Sequence, residues 1–127
     1  MNTAVIGIGS NISPQKNVKK AKNLLAQTFH VLKESAFIQT KPVGYTDQGD
    51  FINGSVYIET ALPIEKLSQK MKKLEKQLGR SASPIKYGPR TIDLDIVVFN
   101  GEVVDHDFYE RDFLKNAVLE LIPDLRY

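Results

Sequence analysis

Gly88-Pro89-Arg90-Thr91-Ile92-Asp93-Leu94-Asp95-Ile96-Val97-Val98-Phe99 is the stretch on which the reading of this chain turns. From Ile92 onward it has the composition of a buried β-strand. Side chains alternate across a strand, so Ile92, Leu94, Ile96 and Val98 are expected on one face and Asp93, Asp95, Val97 and Phe99 on the other. Two carboxylates then stand side by side on a face that continues as Val and Phe. Like charges that close repel, and a half-buried carboxylate without a partner is costly. A divalent cation resolves both problems, and magnesium prefers oxygen ligands of this kind. Arg90, just upstream, is suited to gripping phosphate. Together these residues point to chemistry on a magnesium–nucleotide complex.

Working outward from that strand, the chain alternates between the two backbone periods. Thr3 to Gly9 reads as a strand and Gly9-Ser10-Asn11 as a turn. Ser13 and Pro14 mark a helix start, with Ser13 as N-cap. Val18, Ala21, Leu24, Leu25 and Phe29 then line one helix face. Val31 to Gln39 alternates as a second strand. Thr40 to Asp50, with Pro42, Gly44 and Gly49, is a loop, and a loop that long in a small domain is more often functional than idle. Phe51 to Thr60 is a third strand. Pro63 opens a second helix whose buried stripe is Ile64, Leu67, Met71, Leu74 and Leu78, with Gly79 as its stop. Arg80 to Thr91 is a second long loop, the acidic strand follows, and Asp107 to Leu121 is expected to form a last, shorter helix. Strand, helix, strand, strand, helix, strand is the ferredoxin-like α+β pattern, an antiparallel sheet with helices packed on it.

The 127 residues make one domain, spanning 1–127. A hydrophobic share of 42% and a charged share of 25% are ordinary for a chain that builds a single core. There is no cysteine, so disulfides and thiolate metal sites are excluded, and a reducing cytoplasm is compatible. No leader peptide and no membrane span are expected. The net charge of +2 is too small to argue for nucleic acid, and a monomer acting on small molecules is expected. Lysines cluster at Lys16, Lys19, Lys20 and Lys22 and again from Lys66 to Lys76, in predicted helices, where solvated faces account for them.

Phe51 and Asn53 share one face of the third strand with Ser55 and Tyr57. An aromatic ring beside an amide suits a flat heterocycle, although a Phe that opens a strand is commonly core. Arg80, Lys86 and Arg90 lie in the loop beside the acid pair, which makes a phosphate clamp plausible for them, as for Arg111. Gly7-Ile8-Gly9-Ser10 lacks the third glycine of a dinucleotide fingerprint, and no Gly-Lys-Ser phosphate loop exists, which excludes a P-loop kinase.

With these residues in view the chain resembles the 6-hydroxymethyl-7,8-dihydropterin pyrophosphokinase family of folate biosynthesis. The resemblance runs from Ile6 to about Pro123. It is tightest at Gly9-Ser10-Asn11, at Thr40-Lys41-Pro42-Val43-Gly44 with Asp50-Phe51-Ile52-Asn53, at Glu75 through Gly79-Arg80, and at Gly88 through Asp95, the family's signature segment. It implies transfer of diphosphate from ATP to the pterin, giving AMP. It implies catalytic roles for Asp93, Asp95, Arg90 and Arg80, with Asp93 and Asp95 holding two magnesium ions. Phe51 and Phe113 would sandwich the pterin, while Asn53 with Thr40, Pro42, Val43 and Gly44 would read its edge. Glu75, Lys86, Tyr87, Arg90, Ile96 and Arg111 would line the ATP side. The chain departs from the family pattern at Ala82, where a second basic residue is usual, at Lys86 and Tyr87, and between Phe99 and Arg111. There a longer segment with a His-Pro motif is replaced by His106-Asp107, and the chain ends earlier than typical members. The departures imply an active enzyme that is slower or binds ATP more weakly. The alternative is a pterin- or nucleotide-binding domain with weakened or lost catalysis. A more distant reading is an RNA-binding module that would stack bases on Phe51 and Tyr57.

Overall fold

The computed structural model describes residues 1–80 and 89–127. Its elements run β1 (Asn2–Ser10), α1 (Pro14–Thr28), β2 (His30–Glu34), β3 (Ile38–Thr40), β4 (Phe51–Thr60), α2 (Ile64–Gln77), β5 (Asp93–Phe99), β6 (Glu102–Val103), α3 (Asp107–Glu110) and α4 (Asp112–Leu121). The sheet order is β2-β4-β1-β5-β6, with β3 also paired to β4, and every pairing is antiparallel. With β2 and β3 taken as one broken strand, this is the expected ferredoxin-like frame. The long apolar strands β1 and β4 lie in the middle, where both faces are covered.

Two cores flank the sheet. Ala4, Ile6, Ile8, Val56, Ile58 and Leu94 face α1 and α2, meeting Val18, Ala21, Leu25, Leu67, Met71 and Leu74. Val5, Val97 and Val98 face the other way, onto Phe108, Val118 and Leu121 of α3 and α4. Tyr57 packs against this second core. Of the two aromatics singled out for base stacking, Tyr57 is thus partly covered by this core while Phe51 lines a cleft.

Four local expectations are corrected. The strand expected from Val31 to Gln39 is interrupted, because Glu34 opposes Val56 while Ile38 opposes Asn53, four residues on one strand against three on the other. The offset brings Phe37 over Gly54, where a Cβ would stand 2.5 Å from the ring, so glycine is required there. In β5 a bulge opposite the Val5/Ile6 step reverses the alternation: Val98 joins the α4 side and Phe99 the α1–α2 side. The helix expected from Asp107 to Leu121 breaks at Arg111, whose φ of −118° and ψ of 105° are extended. Asn100-Gly101 forms a hairpin turn with φ of 50° and 81°, the left-handed pair that Asn-Gly favours, and leads into the short β6. Ser13 does precede α1, but its side chain makes no capping bond; the Asn17 amide donates to Ile12 O instead, at 2.5 Å.

Candidate active site

The antiparallel register sets side chains in rows across the sheet. Asn53, Gly9 and Asp93 form one row over β4, β1 and β5, and Ser55, Gly7 and Asp95 form the next. In each row the residue beside the carboxylate is a glycine, so bare backbone floors the space between the polar residue of β4, Asn53 or Ser55, and the acid of β5. A Cβ on Gly9 would stand 2.6 Å from Asn53 Oδ1. The Asn53 amide leans over that position and donates to Thr40 Oγ1 at 2.5 Å. The break at Arg111 sets Arg111 and Phe113 at the start of α4, above the same floor. The result is a cleft of about 410 Å³. Its lining brings together Thr40, Val43, Phe51, Asn53 and Phe113 with Arg80, Arg90, Asp93, Asp95 and Arg111. Pro42 and Gly44 flank Val43 in the same loop without lining the cleft. Lys86, Tyr87 and Ala82 lie outside the described residues.

The end of α2 builds the acidic part. Gly79 has a φ of 94°, a left-handed turn that only glycine adopts cheaply. Its N–H donates to Lys76 O and that of Arg80 to Glu75 O, both at 3.0 Å, the pair of bonds that closes a helix C-terminus. The chain thereby folds back, and Arg80 Nη1 meets both Glu75 Oε2 (2.7 Å) and Asp93 Oδ1 (2.8 Å). Glu75 is only 8% exposed, and its Oε2 also accepts the Leu94 N–H at 2.8 Å. One buried carboxylate thus ties α2 to β5 and aims the guanidinium at Asp93. Burial pushes the Glu75 carboxyl upward, against the opposing pull of the Leu94 N–H and Arg80.

Asp95 differs from its neighbour. Among the described residues no lysine or arginine forms an ion pair with it. Asp95 is an exposed residue whose carboxyl opens into the cleft. Desolvation of that carboxyl among the cleft's side chains, then repulsion from Asp93, Asp105 and Glu75, pushes it up to about 8. The folded protein therefore holds a proton on Asp95 that the unfolded chain releases near pH 4, so stability falls as pH rises from about 4 to 8. Solvent screening reduces the effect to about 1 kcal/mol. In metal-free buffer the melting temperature is expected to be about 4 °C lower at pH 8 than at pH 5, with magnesium removing the difference. Thermal melts at the two pH values, with and without magnesium, check this; a metal-free protein more stable at pH 8 would contradict it.

A second cavity, about 560 Å³, opens on the far side of the acids, between α2 and the β5–β6 edge. Glu75 and Ile96 line it, together with Ile64, Met71, Val104 and His106. Arg80, Asp93, Asp95 and Asp105 border both spaces. Asp105 was not singled out from sequence, nor were Gly7 and Gly9 as the floor. The glycine spacing was visible, but its meaning depends on the register with β5.

A family model described as 7,8-dihydro-6-hydroxymethylpterin-pyrophosphokinase matches residues 5–123. The chain belongs to that family. A 2-amino-4-hydroxy-6-hydroxymethyldihydropteridine pyrophosphokinase of Aquifex aeolicus is 35% identical, the alignment covering 98% of this chain and 83% of that one. The Bacillus subtilis protein of the same name is 38% identical over 94% of this chain and 78% of its own length. A folate synthesis bifunctional protein of Arabidopsis thaliana is 32% identical over 93% of this chain but 26% of its own length. A stretch similar to this pyrophosphokinase family member thus also forms part of a longer protein.

The donor set of this pyrophosphokinase suits a cation that arrives with its substrate. Among the described residues no group of three or more acidic, imidazole or thiol side chains converges to hold a metal unaided. Asp93 and Asp95 supply two oxygen-bearing groups beside a floor left open by Gly7 and Gly9. Magnesium is typically held by one or two carboxylates with substrate phosphates and water completing its shell.

Proposed function

We infer that this chain transfers the β,γ-diphosphate of ATP to the hydroxymethyl oxygen of 6-hydroxymethyl-7,8-dihydropterin, releasing AMP, as a step of folate biosynthesis. The observation that carries the reading is the meeting, in one cleft of a family member, of an aromatic–amide end and a carboxylate–arginine end.

Phe51 and Phe113 would hold the flat ring, with Asn53 reading its edge beside Thr40, Pro42, Val43 and Gly44. Asp93 and Asp95 would hold two magnesium ions. When bound, these ions neutralise the phosphates and stabilise charge in the transition state. Arg90 and Arg111 would grip the triphosphate, and Glu75, Ile96, Lys86 and Tyr87 belong to the nucleotide side. Arg80 is the residue with two duties. It already neutralises part of Asp93, so that carboxylate serves a cation only by sharing or releasing the guanidinium. The new bond joins the pterin oxygen to the β-phosphorus, and the bond to the α-phosphate oxygen breaks, leaving AMP. The hydroxyl proton passes to solvent, and positioning supplies much of the acceleration. Such a chain would work as a cytoplasmic monomer, a setting that a cysteine-free sequence suits.

The test mixes protein, magnesium, ATP and the pterin and measures AMP. Pterin-dependent AMP is expected, with a raised KM for ATP. Pterin binding without AMP at any ATP concentration would overturn the reading.

A further inference from the structure

The bend between β2 and β3 holds one residue more than the strand it faces. From Glu34 to Ile38 the chain takes four steps, while β4 takes three from Val56 to Asn53. A bulge of this kind leaves a backbone donor out of the ladder, and other groups have to hold it. Ser35, only 5% exposed, supplies one of them. Its N–H donates to Ser55 O (2.9 Å), and its Oγ accepts the Ser55 N–H (2.9 Å), so the hydroxyl stands in for the carbonyl oxygen of a regular antiparallel pair. The Ala36 N–H donates instead to Glu120 Oε1 of α4 (3.0 Å). Phe37 then lays its ring against the bare backbone of Gly54, with Lys22 Nζ 4.8 Å from the ring centroid.

The extra residue decides which way the next ones face. Opposed residues of an antiparallel pair share a face of the sheet. Thr40 opposes Phe51, on the cleft side, and its Oγ1 accepts the Asn53 amide (2.5 Å). A strand continuing in step from Glu34 would set Thr40 opposite Asp50 and Phe37 opposite Asn53. A slip of one residue moves every side chain to the other face, so Thr40 would leave the cleft and Phe37 would enter it. Two features select the bulged register: the Ser35 hydroxyl, and the missing Cβ at Gly54 that admits the Phe37 ring.

We propose that Ser35 and Phe37 are positioning residues that fix the recognition face of the pterin end by holding β3 in the bulged register. The assignment rests on the functional reading above, in which Thr40 and Asn53 read the edge of the pterin. Neither Ser35 nor Phe37 touches a ligand in this scheme. β3 pairs with β4, whereas Asp93 and Asp95 stand on β5, on the other side of β1. The register is therefore expected to govern pterin affinity and to leave nucleotide affinity alone.

The experiment measures pterin affinity by intrinsic pterin fluorescence, with magnesium and α,β-methylene ATP, whose carbon bridge blocks diphosphate transfer; calorimetry gives the affinity for that analogue. Ser35→Ala removes the acceptor of a buried N–H, and Gly54→Ala sets a Cβ 2.5 Å from the Phe37 ring. Each is expected to weaken pterin binding by about tenfold or more while analogue affinity stays within about twofold. Ser35→Ala serves alone if Gly54→Ala does not fold. Deletion of Ala36 separates register from mere stability. It leaves Ser35 and Phe37 facing Ser55 and Gly54 in a regular ladder that still brings Thr40 to the cleft. It costs the bond to Glu120, whose exposed carboxylate rehydrates. The deletion is expected to bind pterin close to wild type and to make Ser35→Ala nearly harmless. Cross-strand NMR contacts of Gln39 with Ile52 report the bulged register, and contacts of Gln39 with Phe51, expected in the weakened variants, report the slipped one. Wild-type pterin affinity in folded Ser35→Ala and Gly54→Ala, a loss shared equally with the nucleotide analogue, or no rescue by the deletion overturns the register assignment and leaves the enzyme reading intact. A wild type that binds neither ligand overturns the functional reading, and the assignment with it.

Discussion

Asp95→Asn is expected to lower pterin-dependent AMP formation by about 10³-fold or more while leaving pterin binding nearly unchanged. The substitution keeps the shape of the side chain and removes its charge. Asp93 is partly neutralised by Arg80 at 2.8 Å, whereas no described lysine or arginine pairs with Asp95, so Asp95 carries more of the site's demand for a cation. The same asymmetry gives the variant a second signature. Losing a carboxylate that repels Asp93, Asp105 and Glu75 should raise the metal-free melting temperature at pH 8. Activity and stability then move in opposite directions, as they do where a site is strained for its work. Single-turnover AMP release and thermal melts on one preparation check both halves. Activity within about tenfold of wild type would remove Asp95 from the centre of the reaction.

The second large effect falls on Glu75. Glu75→Ala deletes a carboxylate that is 8% exposed and accepts both the Leu94 N–H (2.8 Å) and Arg80 Nη1 (2.7 Å). The Leu94 amide is left buried without its partner, and Arg80 loses the contact that aims it. Arg80 is partly solvated and can rehydrate, so the expected cost is about 2–4 kcal/mol rather than the full penalty of a stranded charge. For a chain of this size that lowers the melting temperature by roughly 10 °C. Glu75→Gln keeps an acceptor and the volume and should recover about half of the loss. Chemical denaturation of the three proteins measures the series, and equal stability of Ala and Gln variants would show that the acceptor contributes nothing.

The frame was legible because its elements follow clear periods. The stripe Leu67, Met71, Leu74 is buried as read, and Phe51 to Thr60 is the strand expected. The acid pair was legible for the same reason, since Asp93 and Asp95 precede the bulge. Beyond it, Val97 and Val98 suit either face equally well, so no hydrophobic pattern could reveal that the alternation reverses. The break at Arg111 was equally silent, since no glycine or proline marks it; Phe108 and Val118, one on each side of it, both pack in the second core. Two signals were present but unread. Asn-Gly at 100–101 is a strong hairpin turn, masked by a following strand only two residues long. Glu75 follows Leu74 on the apolar stripe, and an acid at such a position announces a buried partner; its attachment to Leu94 depends on long-range placement that periodicity does not encode.

That attachment also settles what happens at the rim of the sheet. Among the described residues β6 pairs with β5 at Val98 and Phe99, and no strand pairs the outer side of the stretch from Asp93 to Ile96, which there forms a margin of the sheet. An unpaired margin of that kind invites a strand from another molecule. Glu75 fills the Leu94 donor with a side-chain oxygen and sets a charged pair along the approach. The contact that holds Arg80 against Asp93 would therefore also hinder self-association, and truncating Glu75 is expected to leave a chain that is both loosened and prone to aggregate, which light scattering of Glu75→Ala beside the wild type checks.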